Sequence, residues 1–214
     1  MAGFTVLMKK ILILEANPQS DLRLNEEIRD LQNVIKRSQS HQTFEIQISP
    51  ALRSSDLQEA ILRFEPNIIH FCGHGTGTEG LVLIDKKVNT EVLSDLFELF
   101  KEHLESVVLN ACYSEVQANA INQHIKYVIG MNQAIRDDAA IAFSIGFYRA
   151  LGFGRSYEDA FKFGKNAIQL AIADNAKNRD AIAEDMRKLV PIDNVSETII
   201  VQEHLKPVLK INLE

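Results

Sequence analysis

Short unbroken apolar runs alternate with amphipathic segments along most of this chain, and that rhythm restricts it to very few architectures. Lys9-Lys-Ile-Leu-Ile-Leu-Glu15, Asn67-Ile-Ile-His-Phe-Cys72, Ser106-Val-Val-Leu-Asn110 and Ile125-Lys-Tyr-Val-Ile-Gly130 are four such runs, each ending near turn-forming or small residues. A run that is apolar throughout suits a strand covered on both faces, which is the usual condition of a parallel sheet. Between the runs lie segments with apolar residues at helical spacing: 21–36, 57–64, about 90–101, and one starting at Ser114. Two more helices are expected at 137–151 and 156–172. Thr43-Phe-Glu-Ile-Gln-Ile-Ser49 alternates apolar with polar residues and reads as a half-buried strand toward an edge. Leu81-Val-Leu-Ile reads as a short extra strand.

At least four strand–helix units imply a mostly parallel central sheet between two helical layers, a three-layer α/β/α sandwich. No repeat or linker divides the 214 residues, so one domain over 1–214 is expected, with its core at 9–172. Residues 174–214 read as an extension: an alanine-rich helix to Pro191, then strands near 198–201 and 208–211.

Composition narrows the function. The formal charge is −6, with 23 Lys+Arg against 29 Asp+Glu, which disfavours nucleic acid as the main partner. No run approaches the length of a membrane span. The start, Met1-Ala-Gly-Phe-Thr-Val-Leu-Met, has no charged n-region and reads as a native leader or an expression remnant, not a signal peptide. Cys72 and Cys112 are too few for a disulfide framework, so a cytoplasmic chain is expected.

In parallel α/β sheets, ligands bind beyond the carboxyl ends of the strands. Two reactive residues belong there. His74 follows the strand ending near Cys72, and Cys112 follows the strand ending at Asn110. If both strands are central, an imidazole and a thiol meet at one sheet edge, the pairing that nucleophilic catalysis requires. Ser114-Glu-Val-Gln117 fits a capping box, which predicts a helix N-terminus just after the thiol. Gly75 permits close backbone approach, and its N–H with that of Cys112 forms a candidate oxyanion site. The competing reading is a buried structural thiol and a loop histidine in neighbouring turns.

Other patterns are weaker. Gly75-Thr-Gly-Thr-Glu-Gly80 matches G-x-G-x-x-G, but a strand follows it where a dinucleotide site needs a helix. His70, Cys72, His74 and Cys112 are a conceivable zinc set with unusual spacing, and no metal is assigned. His70 is expected in the core, and His41, His103, His124 and His204 on the surface.

A strand ending in His-Gly, followed 38 residues later by a strand ending in Ala-Cys, resembles the caspase-like cysteine peptidases. Leu22-Arg-Leu-Asn-Glu-Glu27, the Gly73-His-Gly75 loop, Leu109-Asn-Ala-Cys-Tyr-Ser-Glu115 and Val128-Ile-Gly-Met-Asn132 look most like its CHAT branch, over about 9–170. The resemblance implies a cysteine endopeptidase with a His74–Cys112 dyad and no cofactor. It also implies a protein substrate, a role in regulated bacterial defence or cell death, and control by a partner protein or by self-association. Substrate contacts then fall to Asn110, two residues before the thiol, to Glu15 and Asn17 in the turn after the first strand, and to Arg23 and Asn132. Glu15 would favour a basic P1 side chain and Arg23 an acidic one, and the neutral Asn110 decides neither. The alternative is the same fold used as an idle binding or scaffolding module.

Overall fold

The computed structural model describes residues 8–20, 22–37, 43–187 and 202–213, with side chains described to 172 and again from 202. The chain builds one mixed sheet, ordered β2-β1-β3-β6-β7-β8. Its strands are β1 (Met8–Ala16), β2 (Thr43–Ser49), β3 (Ile68–Gly75), β6 (Ser106–Asn110), β7 (Tyr127–Met131) and β8 (Pro207–Ile211). The first five run parallel, and β8 closes the far edge antiparallel to β7. A two-strand arm, β4 (Leu81–Val82) and β5 (Lys87–Val88), continues from the end of β3. The mostly parallel sandwich expected from the alternation is therefore the observed fold.

Side chains pointing to alternate faces of the sheet feed two separate cores. Leu12, Leu14, Ile69, Phe71, Val107, Leu109 and Val128 pack on one side. There they meet α2 (Leu57–Phe64), α3 (Thr90–Glu98) and α4 (Glu115–Ile121). Ile11, Ile13, Ile68, Cys72, Val108 and Ile129 face the other side. That layer holds α1 (Leu24–Arg37), α5 (Asp137–Gly152) and α6 (Tyr157–Arg187). Phe143, Phe147 and Tyr148 on α5 are wholly buried, each worth roughly 1.5–3 kcal/mol of transfer free energy.

Two expectations change. The helix expected to stop at 172 and the one expected over 174–190 are a single helix, α6, continuous to Arg187. The alanine-rich sequence between them holds no breaker to divide it. The first helix starts at Leu24 rather than at 21. Thr198–Val201, Pro191 and Met1–Leu7 lie outside the described residues. The strand expected near 208–211 is β8, which pairs with β7 from Met131↔Pro207 to Tyr127↔Ile211. Among the described residues, no helix is long and apolar enough to cross a membrane.

Strand order dictates where a site forms. The chain leaves β1 for β2 on one side, then crosses back to β3 on the other, and such a reversal leaves a crevice at the carboxyl ends of the strands.

Candidate active site

Cys72 on β3 pairs in register with Asn110 on β6, so the residues two steps further along each strand are His74 and Cys112. Neighbouring strands lie about 4.8 Å apart, which brings both chain ends to one place. Beyond the ladder they remain close, since a Cβ built on Gly75 would lie 2.2 Å from the Cys112 carbonyl oxygen. His74 and Cys112 line the same small cleft, of about 60 Å³. Its other walls come from the start of α1 (Leu22, Arg23, Leu24, Glu27) and the start of α5 (Asp137, Ala140, Ile141). Such a volume has room for roughly four to six waters, enough for one slender side chain. Both residues are partly exposed, and the Cys112 thiol lies 3.8 Å from the Ile135 carbonyl oxygen.

The turn that presents the thiol is clamped on both sides. Tyr113 takes a left-handed conformation, φ 55°, which costs a non-glycine residue roughly 1–2 kcal/mol. The buried Ser114 hydroxyl donates to Leu109 O at 3.0 Å and accepts from Met131 N at 3.0 Å, bridging β6 and β7. This overturns the expected capping box. Ser114 caps nothing with its side chain, and Gln117 instead donates to Gly77 O and Thr90 Oγ1, each at 2.7 Å. With only seven residues in α4, the helix adds little dipole to argue from.

Behind the cleft lies a buried polar network that sequence reasoning missed. Glu27 of α1 is 2% exposed. Its Oε1 accepts from Asn110 Nδ2 at 2.6 Å and Ser144 Oγ at 2.7 Å, and lies 3.1 Å from His70 Nε2. The other ring nitrogen of His70 lies 3.1 Å from Tyr148 Oη. Burial alone would raise the Glu27 pKa, but the His70 contact, with Ser144 and Asn110, holds it below the usual carboxylate value. Burial pushes the Cys72 thiol well up, and the Glu27 charge adds to this. Glu27, His70 and Cys72 bring possible ligand atoms within 4.8 Å of one another. Both ring nitrogens of His70 already have partners, so the cluster reads as a closed hydrogen-bond network, and it differs from the zinc set considered above.

The network also makes stability depend on pH. The unfolded Glu27 carboxyl takes up its proton near 4.5, before the folded one does, so stabilisation present above that value is lost as pH falls through it. His70, Cys72 and Tyr148 are the titratable groups packed around it. Urea midpoints of the wild type and Glu27→Gln should differ most near pH 7 and converge as the pH falls below 4.5. A gap that does not narrow would contradict this account.

The remaining expected residues separate. Asn110 and Arg23 line the cleft. Asn110 is buried, and its Oδ1 has no partner. Arg23 sits at the mouth, its guanidinium 3.2 Å from Glu26 and its backbone N–H 3.3 Å from Asp137. Glu15, the last residue but one of β1, lies beside Cys72 in register, Asn17 donates to Leu22 O at 3.1 Å, and Asn132 is exposed beyond β7. None of these three is among the cleft's lining residues. His70 is a core residue, as expected, and the glycine motif runs from the end of β3 through a single 3-10 turn at Gly77–Glu79 into β4, with no α-helix N-terminus. A legible signal for Glu27 did exist. It is an acid on the Leu24, Ile28, Leu31 stripe of α1, where carboxylates are almost never buried without a partner.

A parallel-sheet sandwich with a histidine and a cysteine at adjacent strand ends has the architecture of the caspase-like cysteine proteinases. One solved example is similar in fold, the Arg-specific cysteine proteinase gingipain R. Its TM-score is 0.55 and its identity 12%, over 74% of this chain and 41% of that one. The chain belongs to the CHAT-domain family, whose model matches residues 9–181. It is 24% identical to a "Probable protease" of Gillisia limnaea over 77% of this chain and 31% of that protein. It is also 23% identical to a "Roc-COR-CHAT protease" of an unknown prokaryotic organism, over 75% of this chain and 16% of that protein. The chain therefore spans less than a third of either relative.

Proposed function

We propose that this domain is a cysteine endopeptidase acting through His74 and Cys112. The observation that carries the reading is the meeting of both residues in one cleft at the ends of adjacent parallel strands. Cys112 Sγ, as thiolate, attacks the scissile carbonyl carbon, and the carbonyl electron pair moves onto oxygen. The N–H groups of Gly75 and Cys112 steady that oxyanion. As the C–N bond breaks, the imidazolium of His74 gives its proton to the leaving amine. Water, deprotonated by His74, then attacks the thioester and frees both the carboxylate product and the thiolate. No step needs a metal or an organic cofactor.

The cleft accepts one substrate side chain, with Asn110 at its base and Arg23 at its mouth. Glu15, Asn17 and Asn132, outside the cleft, are assigned to contacts with the flanking peptide. Protein substrates follow from the protease names of the relatives. Those relatives are far longer than this domain, which fits control by a partner or by neighbouring domains. Regulated bacterial defence in the cytoplasm is the setting that the family resemblance supports.

The test uses both cysteines. Cys112→Ala should abolish peptide cleavage, and Cys72→Ala should leave it within about twofold. Iodoacetamide at neutral pH should label Cys112 and spare the wholly buried Cys72. Full cleavage by Cys112→Ala would end the assignment of Cys112 as nucleophile, and a wild type that cleaves no peptide would leave the binding module in its place.

A further inference from the structure

We infer that Glu27 is a positioning residue for this reaction, its buried carboxylate setting the spacing between the two strands that carry His74 and Cys112; the inference rests on the peptidase reading above. Glu27 belongs to neither strand. From α1 it reaches Asn110, the last residue of β6 and two before the thiol, and His70, four before His74 on β3. It also reaches Ser144 on α5, while Tyr148 one turn on holds His70 from its other ring nitrogen. One carboxylate oxygen thus joins α1, β3, β6 and α5, the four elements that wall the cleft.

Hydrogen bonds to an ionised acceptor are shorter and about twice as strong as neutral ones. The 2.6 Å contact to Asn110 and the 2.7 Å contact to Ser144 are of that kind. Ser114 restrains the far side of the same turn, so Cys112 is held between two fixed points. Removing the carboxylate charge leaves the thiol's turn held from one side, by Ser114 and by the Tyr113 N–H that donates to Gln133 O. A displacement of about 1 Å at the reacting atoms can cost about 100-fold in rate. Glu27 also lines the cleft, and its three partners occupy Oε1.

Fold-holding and site-positioning roles predict different kinetics. A network that only holds the fold lowers the melting temperature and leaves kcat unchanged wherever the protein is folded. A network that positions the dyad lowers kcat well below the melting temperature and changes KM less, because Arg23 and the cleft's other walls remain.

The experiment measures kcat and KM on one cleaved peptide for the wild type, Glu27→Gln, Ser144→Ala and Tyr148→Phe, with Cys112→Ala as the blank and a thermal melt on each. Glu27→Gln should lose 10- to 100-fold in kcat with KM within about twofold. Ser144→Ala and Tyr148→Phe, which each remove one hydroxyl, should lose kcat in the same direction by smaller factors. If Glu27→Gln does not fold, those two variants decide the matter. Folded variants with wild-type kcat would overturn the positioning role and leave the peptidase reading standing. A wild type no faster than Cys112→Ala would remove both.

Discussion

His74→Ala is expected to lower kcat/KM by about 10²–10⁴-fold, the usual contribution of a positioned general acid–base. In the proposed mechanism the imidazole acts twice in each turnover, first on the leaving amine and then on the attacking water, and among the described residues no other imidazole lines the cleft. His74 lies near the end of β3 and is partly exposed, so its loss should change stability by no more than about 1 kcal/mol. Cleavage and stability therefore separate in this variant. Residues that act as a unit are also non-additive, so the double variant with Cys112→Ala should be no slower than Cys112→Ala alone. The measurement is kcat/KM for both single variants and the double, with urea midpoints alongside. Activity of His74→Ala within tenfold of the wild type would show that the thiol works with another base. The dyad assignment would then fail even though the cleft remained.

Most of the frame and the meeting of His74 with Cys112 in one cleft were legible because they depend on short-range patterns. A strand buried on both faces must be apolar throughout, and a residue just past its end must lie at the sheet edge. Those two rules place His74 and Cys112 together before any coordinates are known. The cleft's remaining parts obey no such rule. Glu27, Asn110 and Ser144 are 83 and 34 residues apart in succession, and only tertiary packing brings α1, β6 and α5 together. The capping box failed for a related reason. The Ser114 hydroxyl had a local partner available in α4, but the buried Leu109 carbonyl and Met131 amide offered it two bonds instead of one. A buried backbone group left unpaired costs about as much as a lost hydrogen bond, so the tertiary contact wins. The division of α6 into two helices was an error of rhythm, since a change of composition from amphipathic to alanine-rich does not end a helix without a breaker.

Gly75→Ala should cost cleavage about 100-fold, the lower end of the loss expected for His74→Ala, although the added group is a single methyl. The new Cβ would lie 2.2 Å from Cys112 O and 3.2 Å from both Cys112 C and Ala111 Cβ. These are mostly backbone atoms and cannot rotate away, so the ends of β3 and β6 must part by about an ångström to restore van der Waals contact. That displacement falls on the spacing the dyad requires, and it moves the two N–H groups assigned to the oxyanion. A loss of about 100-fold in kcat follows, with overpacking costing about 1–3 kcal/mol of stability. Gly154→Ala separates the two effects. Gly154 has φ +76° and nothing within 4 Å of its missing Cβ, so alanine there is strained but unobstructed. It follows α5 on the side away from the cleft, among residues lining neither wall of it. It should cost about 1 kcal/mol through its left-handed backbone and leave kcat and KM unchanged. Equal activity losses in both variants would mean that cleavage merely tracks stability. A fully active Gly75→Ala would mean that the strand ends move apart more freely than a positioned dyad allows.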